Sequence, residues 1–230
     1  MTDTVVFWDL DGTLLTTARA GVFALEDAAE AVSGTRIDLT SLATAGQTDA
    51  EIARTVLVAA GVDPTDGLVL RFLATYEQRL PDRLHCRRGS VLPGVRAILE
   101  CLADRRDVHT RLLTGNTRAG AFAKLQHYDL DRYFSDGGFT EDGTFDRLSI
   151  ARRAVAEAAE AAGDRFDPER VFLVGDTQSD ISAGAAIGAK TIAVANTHPL
   201  AELQAAGPWC ALERLPEPTE FARLIGLAER

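Results

Sequence analysis

The sequence predicts an α/β protein: a doubly wound parallel sheet with an all-helical block inserted after its first strand. Three observations carry this. From residue 93 onward, short apolar runs alternate with segments of helical period, the pattern of strands joined by helical crossovers. Between residues 16 and about 82 the apolar spacing is helical and no convincing strand occurs. The first apolar run, "VVFWDLDGTLL", is β-branched and aromatic with no polar alternation, as in a central strand covered on both faces.

Residues 4–9 form that first strand. In "TTARAGVFALEDAAEAV", Val22, Leu25, Ala29 and Val32 recur at helical spacing. "TDAEIARTVLVAAG" opens with Thr48 and places Glu51 three residues on, a capping box ahead of Ile52 and Val56, and Gly61 supplies the stop. "DGLVLRFLATYEQRL" carries Leu68, Phe72, Tyr76 and Leu80 on one stripe, with Pro81 expected to end it. Then follow a helix in "PGVRAILECLADR", a strand in "VHTRLLT" ending at Thr114, and a helix in "TRAGAFAKLQHY". "FSDGGFTEDGTF" is turn-rich, with short strand or hairpin character. "LSIARRAVAEAAEAAG" is an Ala-rich helix ending at Gly163. "VFLV" is a strand, "SDISAGAAIG" a helix and "TIAVA" a strand, and the tail from Pro199 reads as mostly helical.

In such a sheet the working groups lie beyond the carboxyl ends of the strands. Those ends read "DLDGT", "LLTGN" and "LVGDTQSD", which bring Asp9, Asp11, Thr114, Asn116, Asp176 and Asp180 to one edge. Asp9 and Asp11 repel each other and lose hydration in a strand mouth unless a positive group sits between them. Carboxylates and hydroxyls without clustered Cys or His suit a hard cation such as Mg²⁺. Helix N-termini after Asn116 and after Thr177 offer free N–H groups to an anion beside the metal. A cation, an anion cradle and a spare carboxylate describe phosphoryl-group chemistry.

Bulk properties narrow the partners. The 230 residues carry a formal charge of −10, which disfavours nucleic acid and anionic membranes. No apolar run approaches the roughly 20 residues of a membrane span, and "MTDTVVFWD" lacks the basic region of a signal peptide. Cys86, Cys101 and Cys210 are odd in number and lack metal-ligand spacing, as expected of free thiols in a reducing cytoplasm.

"DLDGTL", then "LLTGN", then "GDTQSD", with a helical insert after the first, resembles the haloacid dehalogenase superfamily of aspartate-nucleophile hydrolases. The resemblance is to its helical-cap branch, which includes phosphoglycolate phosphatases and phosphosugar mutases. It implies a Rossmann-like core (residues 1–15 and 90–230) and a helical cap domain (residues 16–89). It further implies a Mg²⁺-dependent phosphatase acting on a small phosphorylated metabolite, as monomer or homodimer. By resemblance Asp9 is the nucleophile that forms an aspartyl-phosphate, and Asp11 is the acid and then the base. Mg²⁺ is held by the carboxylates of Asp9 and Asp176 and the backbone carbonyl of Asp11, with Asp180 supporting the metal site from behind. Thr114 grips phosphate through its hydroxyl, with backbone N–H help near Gly115 and Asn116.

The family normally places a lysine before the helix that leads to "GD". The chain has two lysines, Lys124 in mid-helix and Lys190 at the start of a strand, and neither position suits. Arg147 in "TFDRLSIARR" takes the expected place, with Arg152 and Arg153 as alternatives. Gln47 and Thr48 are candidates for substrate contact, Thr48 also as a plain helix cap, and Arg87 or Arg88 could face the substrate's non-phosphate end. Phosphoglycolate, sugar phosphates and nucleoside monophosphates all stay open. A phosphosugar mutase shares every core residue named. A dehalogenase would not need Asp11, and a non-catalytic Mg²⁺- or phosphate-binding relative would be expected to lose Asp9, Asp11 or Asp176.

Overall fold

The computed structural model describes residues 2–141 and 145–228. A six-stranded parallel sheet runs in the order β5-β4-β1-β6-β7-β8. Its strands are β1 (Thr4–Trp8), β4 (Val108–Thr117), β5 (Gly137–Thr140), β6 (Val171–Gly175), β7 (Lys190–Val194) and β8 (Cys210–Leu212). Side chains alternate across a strand, and β1 divides accordingly. Val6 and Trp8 pack under α4 (Val95–Ala103), α5 (Arg118–His127) and α9 (Pro218–Leu224). Val5 and Phe7 pack under α6 (Arg147–Ala162) and α7 (Gln178–Ala186). Helices therefore cover both faces, and β1 is buried along its whole length. That is why its sequence shows no polar alternation. The remaining core helix, α8 (Leu200–Ala205), follows β7.

Between β1 and β4 the chain leaves the sheet. The helices α1 (Gly21–Ser33), α2 (Asp49–Ala59) and α3 (Asp66–Leu84) enclose an apolar cluster of their own, built on Leu25, Val56, Phe72 and Leu80 among others. The predicted capping box on α2 is present: Thr48 Oγ1 accepts from the Glu51 amide, and the Glu51 carboxylate accepts from the Thr48 amide. The two crossings back to the sheet pair with each other as an antiparallel ribbon, β2 (Leu15–Thr16) with β3 (Ser90–Val91).

Several expectations are corrected. Pro81 does not end α3, which continues to Leu84. The last turn is held by the fully buried Leu84 and by Arg83, whose Nε and Nη2 donate to Asp27 at 2.6 and 2.8 Å. A proline in the last turn still forgoes one intrahelical hydrogen bond, and these tertiary contacts offset that loss. Strand β4 runs three residues past Thr114, with a register irregularity against β5 between Leu113 and Thr117. The tail is not wholly helical, because Cys210–Leu212 forms the sixth strand beside β7. In the turn-rich stretch, Gly137–Thr140 is a parallel strand, and residues 142–144 lie outside the described residues.

Candidate active site

The carboxyl ends of β1, β4 and β6 converge where the strand order reverses around β1. Asp9 and Asp11 follow β1, Thr114 to Asn116 lie near the end of β4, Asp176 follows β6, and Asp180 sits in the first turn of α7. Gly12 is left-handed (φ 88°), and a Cβ there would lie 2.3 Å from Asp176 Oδ2, so only glycine lets the β1 loop pass this close. The site forms the floor of a cavity of about 410 Å³, roofed by the helical insert through Val22, Leu25, Gln47, Asp49, Ile52 and Tyr76.

Two clusters share this floor. In the first, Asp9, Asp176 and Asp180 each offer a carboxylate oxygen within 4.8 Å of the others. Arg147, at the first turn of α6, donates through Nη2 to Asp9 Oδ1 at 2.9 Å, to the Leu113 carbonyl at 3.1 Å, and to Asp180 Oδ1. Asp180 Oδ2 accepts from the Asp176 and Thr177 amides and the Thr177 hydroxyl. Its oxygens are thus already engaged, as suits a residue behind a metal. Asp176 Oδ1 accepts from Thr13 Oγ1 at 2.8 Å, whereas its Oδ2 is buried without a hydrogen-bond partner.

Burial pushes the Asp9 carboxyl well above the usual range, Asp180 and Asp176 add to the shift, and Arg147 opposes it. Burial, then Asp180, lift Asp176 to about 6, which the Thr197 and Thr13 hydroxyls only partly offset. Asp9 and Asp176, two acids that resist ionisation, form with Asp180 and one orphaned oxygen an all-oxygen set for which the single charge of Arg147 is too little. This fits a hard divalent cation such as Mg²⁺ held by Asp9 and Asp176.

In the second cluster, Asn116 Nδ2 donates to Asp11 Oδ2 at 2.9 Å and to Thr114 Oγ1 at 2.8 Å. Lys124 Nζ, from the middle of α5, lies 2.6 Å from Asp11 Oδ2 and 2.6 Å from Asn116 Oδ1. The sequence reading sets Lys124 aside only for the place of the family's lysine. Lys124 does not take the place of Arg147, but it reaches the second acid. In the fold Lys124 interrupts the buried stripe of Gly120, Ala121 and Leu125 on α5, a burial that the sequence alone does not mark. Burial works against its ammonium, but Asp11 and Asp49 outweigh that and hold its pKa above the ordinary value.

The insert clamps onto the same loop. A Cβ on Gly115 would lie 2.6 Å from the Gln47 carbonyl, so the loop before α2 rests directly on the β4 end. Thr48 Oγ1 donates to the Phe145 carbonyl at 2.7 Å. Asp49, a residue the sequence reading did not single out, is buried and accepts from the Thr117 amide at 2.8 Å, at the N-terminus of α5. Burial raises its carboxyl to about 6 despite Lys124 and the Thr117 amide. Gln47 lines the cavity, and Thr48 is spent on capping and on Phe145. Arg153 donates to the Phe139 carbonyl and pairs with Glu141 and Glu157, away from the acids. Arg87 lies over the Phe23 ring, outside the cavity wall.

A family model described as haloacid dehalogenase-like hydrolase matches residues 4–188, most of the chain. The chain belongs to this family. Solved structures of the same fold include a family IA, variant 3 HAD hydrolase from Entamoeba histolytica HM-1:IMSS, at 20% identity and TM-score 0.71, with 97% of this chain and 99% of that one covered. A predicted phosphoglycolate phosphatase from Haemophilus somnus 129PT aligns at 16% identity and TM-score 0.68, covering 97% and 98%. A Thermotoga maritima structure named for beta-phosphoglucomutase aligns at 22% identity and TM-score 0.60, covering 96% and 98%. No curated protein sequence matches the chain significantly. At these identities the structures establish the fold, and among the described residues no helix is long and apolar enough to cross a membrane.

Proposed function

We propose that this hydrolase is a Mg²⁺-dependent phosphatase of small phosphomonoesters, working through an aspartyl-phosphate on Asp9. The carrying observation is the pairing of Asp9 with Arg147 beside the under-compensated Asp176, while Asp11 is held by Lys124 and Asn116 at the same floor. Asp9 attacks phosphorus through a carboxylate oxygen, and the ester P–O bond breaks. Asp11 gives its proton to the departing alkoxide, so an alcohol leaves. Asp11, now a carboxylate, takes a proton from water as that water attacks the phosphorus of the acyl phosphate. The P–O bond to Asp9 breaks, and phosphate and a free carboxylate result. When bound, Mg²⁺ offsets the charge of the phosphoryl group and of the acids around it. Arg147 neutralises Asp9 and the transferring group together. The Thr114 hydroxyl, which accepts from Asn116 and retains its own proton, donates to a phosphate oxygen, with the Gly115 and Asn116 amides beside it.

The helical insert, residues 16–89, serves as the cap over this floor. The enclosed cavity sets the size of the leaving group and excludes bulk water during transfer. The free Cys86, Cys101 and Cys210 and the acidic composition accord with a cytoplasmic enzyme acting on a metabolite, as monomer or homodimer. The test is release of inorganic phosphate from a panel of small phosphomonoesters, with and without Mg²⁺. Sugar phosphates in the panel are also followed for isomerised product, the sign of a mutase. Mg²⁺-dependent phosphate release supports the reading, and its absence across the panel counts against it.

A further inference from the structure

We propose that Lys124 is the positioning residue of the acid Asp11, and that through it the enzyme's power over poor leaving groups depends on helix α5. The inference rests on the reading of Asp11 as the acid. Lys124 is only 6% exposed although it carries an ammonium. Its stem leaves the middle of α5 from a stripe otherwise made of Gly120, Ala121 and Leu125, where an apolar residue would serve packing equally well. A buried charge is retained only with partners that satisfy it, and here the partners are specific. Nζ lies 2.6 Å from Asp11 Oδ2 and 2.6 Å from Asn116 Oδ1, and Asn116 Nδ2 donates to the same Asp11 oxygen at 2.9 Å. Three polar groups close a triangle on one carboxylate oxygen. Two donors on Oδ2 fix the plane of the carboxyl group and so the direction of its other oxygen.

Asp11 lies in the turn after β1, where its backbone bridges to Leu15, but its side chain is 41% exposed. Without the triangle, the carboxyl would rotate about its own side-chain bonds, and proton delivery would be slowed by imprecise geometry. Asn116 also contacts the Thr114 hydroxyl, so the device that orients the acid is joined to the group proposed to hold phosphate.

The expected signature is selective. An aryl phosphate with a good leaving group needs little help from an acid, whereas an alkyl phosphate of similar size needs it fully. The experiment compares kcat/KM for p-nitrophenyl phosphate and p-nitrobenzyl phosphate in wild type, Asp11→Asn and Lys124→Met, with Mg²⁺ present. The ratio of the two constants does not depend on what fraction of a preparation is active. Lys124→Gln gives the same reading if Lys124→Met fails to fold. Asp11→Asn should lower the benzyl-to-phenyl ratio by about 10² or more, and Lys124→Met by about tenfold to a hundredfold, as part of the full acid contribution. If Asp11→Asn lowers the ratio while Lys124→Met leaves it at the wild-type value, the inference is overturned and the reading of Asp11 stands. If Asp11→Asn itself leaves the ratio unchanged, Asp11 is not the acid, and the inference falls with it.

Discussion

Replacing Asp176 by Asn should destroy activity and yet stabilise the metal-free protein. The Asp176 carboxyl is raised from 3.8 to about 6, chiefly by burial and then by Asp180. A raised acid is one whose ionised form the fold disfavours, so the folded state binds more protons than the unfolded chain between those values. Stability contributed by this group therefore falls as pH rises from about 4 through about 6, and the full cost is present above that. At about 1.4 kcal/mol per pKa unit, the shift corresponds to an upper value of about 3 kcal/mol near pH 7. Asparagine keeps the shape and an acceptor for Thr13, but its amide protons meet crowded surroundings. A net gain of about 1–3 kcal/mol follows, or roughly 3–10 °C in Tm for a chain of this size. The assay is thermal unfolding after exhaustive chelation at several pH values, then with Mg²⁺ restored. The variant's advantage should be present at pH 7, shrink as the folded-state carboxyl protonates below about 6, and vanish below about pH 3, where wild type is protonated in both states. Mg²⁺ should raise the Tm of wild type and leave the variant nearly unmoved. A metal-free variant less stable than wild type at pH 7, with a wild-type Tm indifferent to Mg²⁺, would refute the reasoning.

Arg147→Ala should cost roughly 10²–10³ in kcat, the loss expected for one preorganised donor, with Arg147→Lys recovering a part. Arg152→Ala and Arg153→Ala should turn over near wild-type rates, and steady-state kinetics on the four variants decides. Asp11→Asn should slow turnover of an alkyl phosphate by about 10²–10⁴ in a protein that still folds by circular dichroism, with a lowered Tm because the buried Lys124 loses its charged partner. Asp49→Ala removes the acceptor that ties the insert to the Thr117 amide, so it should raise KM for a natural phosphomonoester more than it lowers kcat. An unchanged KM would show that this contact does not hold the cap closed.

Much of the architecture was legible because burial writes itself into periodicity. The first strand reads as covered on both faces since Val5, Val6, Phe7 and Trp8 are each almost fully buried, against helices on either side. The helical insert was plain from its apolar stripes, and α2 from the reciprocal bonds of Thr48 and Glu51. Strand β8 was missed because three half-buried residues after Trp209 are too few to show a period. The ribbon of Leu15–Thr16 with Ser90–Val91 rests on a pairing between segments about 75 residues apart, which local pattern does not report. Pro81 misled because a proline's cost depends on where in the helix it falls, and tertiary contacts of Leu84 and Arg83 carry the last turn past it.

The strand-end rule gathered Asp9, Asp11, Thr114, Asn116, Asp176 and Asp180, because it needs only the order of strands and no side-chain geometry. Arg147 was reachable because it opens the helix after β5, where resemblance directed attention. Lys124 and Asp49 were not, for a shared physical reason. Both lie inside helices and act across long sequence separations, Lys124 on Asp11 and Asp49 on Thr117. Their sequence trace is a charged residue on a helix face that turns out to be buried, and a single chain does not mark which faces those are.

The most direct test of the account is to trap the phosphoryl group on Asp9. The protein is mixed with a phosphomonoester and Mg²⁺, quenched during turnover, and treated with borohydride, which reduces an acyl phosphate to an alcohol. Peptide mass spectrometry should then find homoserine at position 9. The modification should be absent after chelation, and in Asp9→Asn, which should also have lost turnover. An unmodified Asp9 in every quench of an enzyme that is releasing phosphate, together with wild-type rates in a folded Asp9→Asn protein, would contradict it.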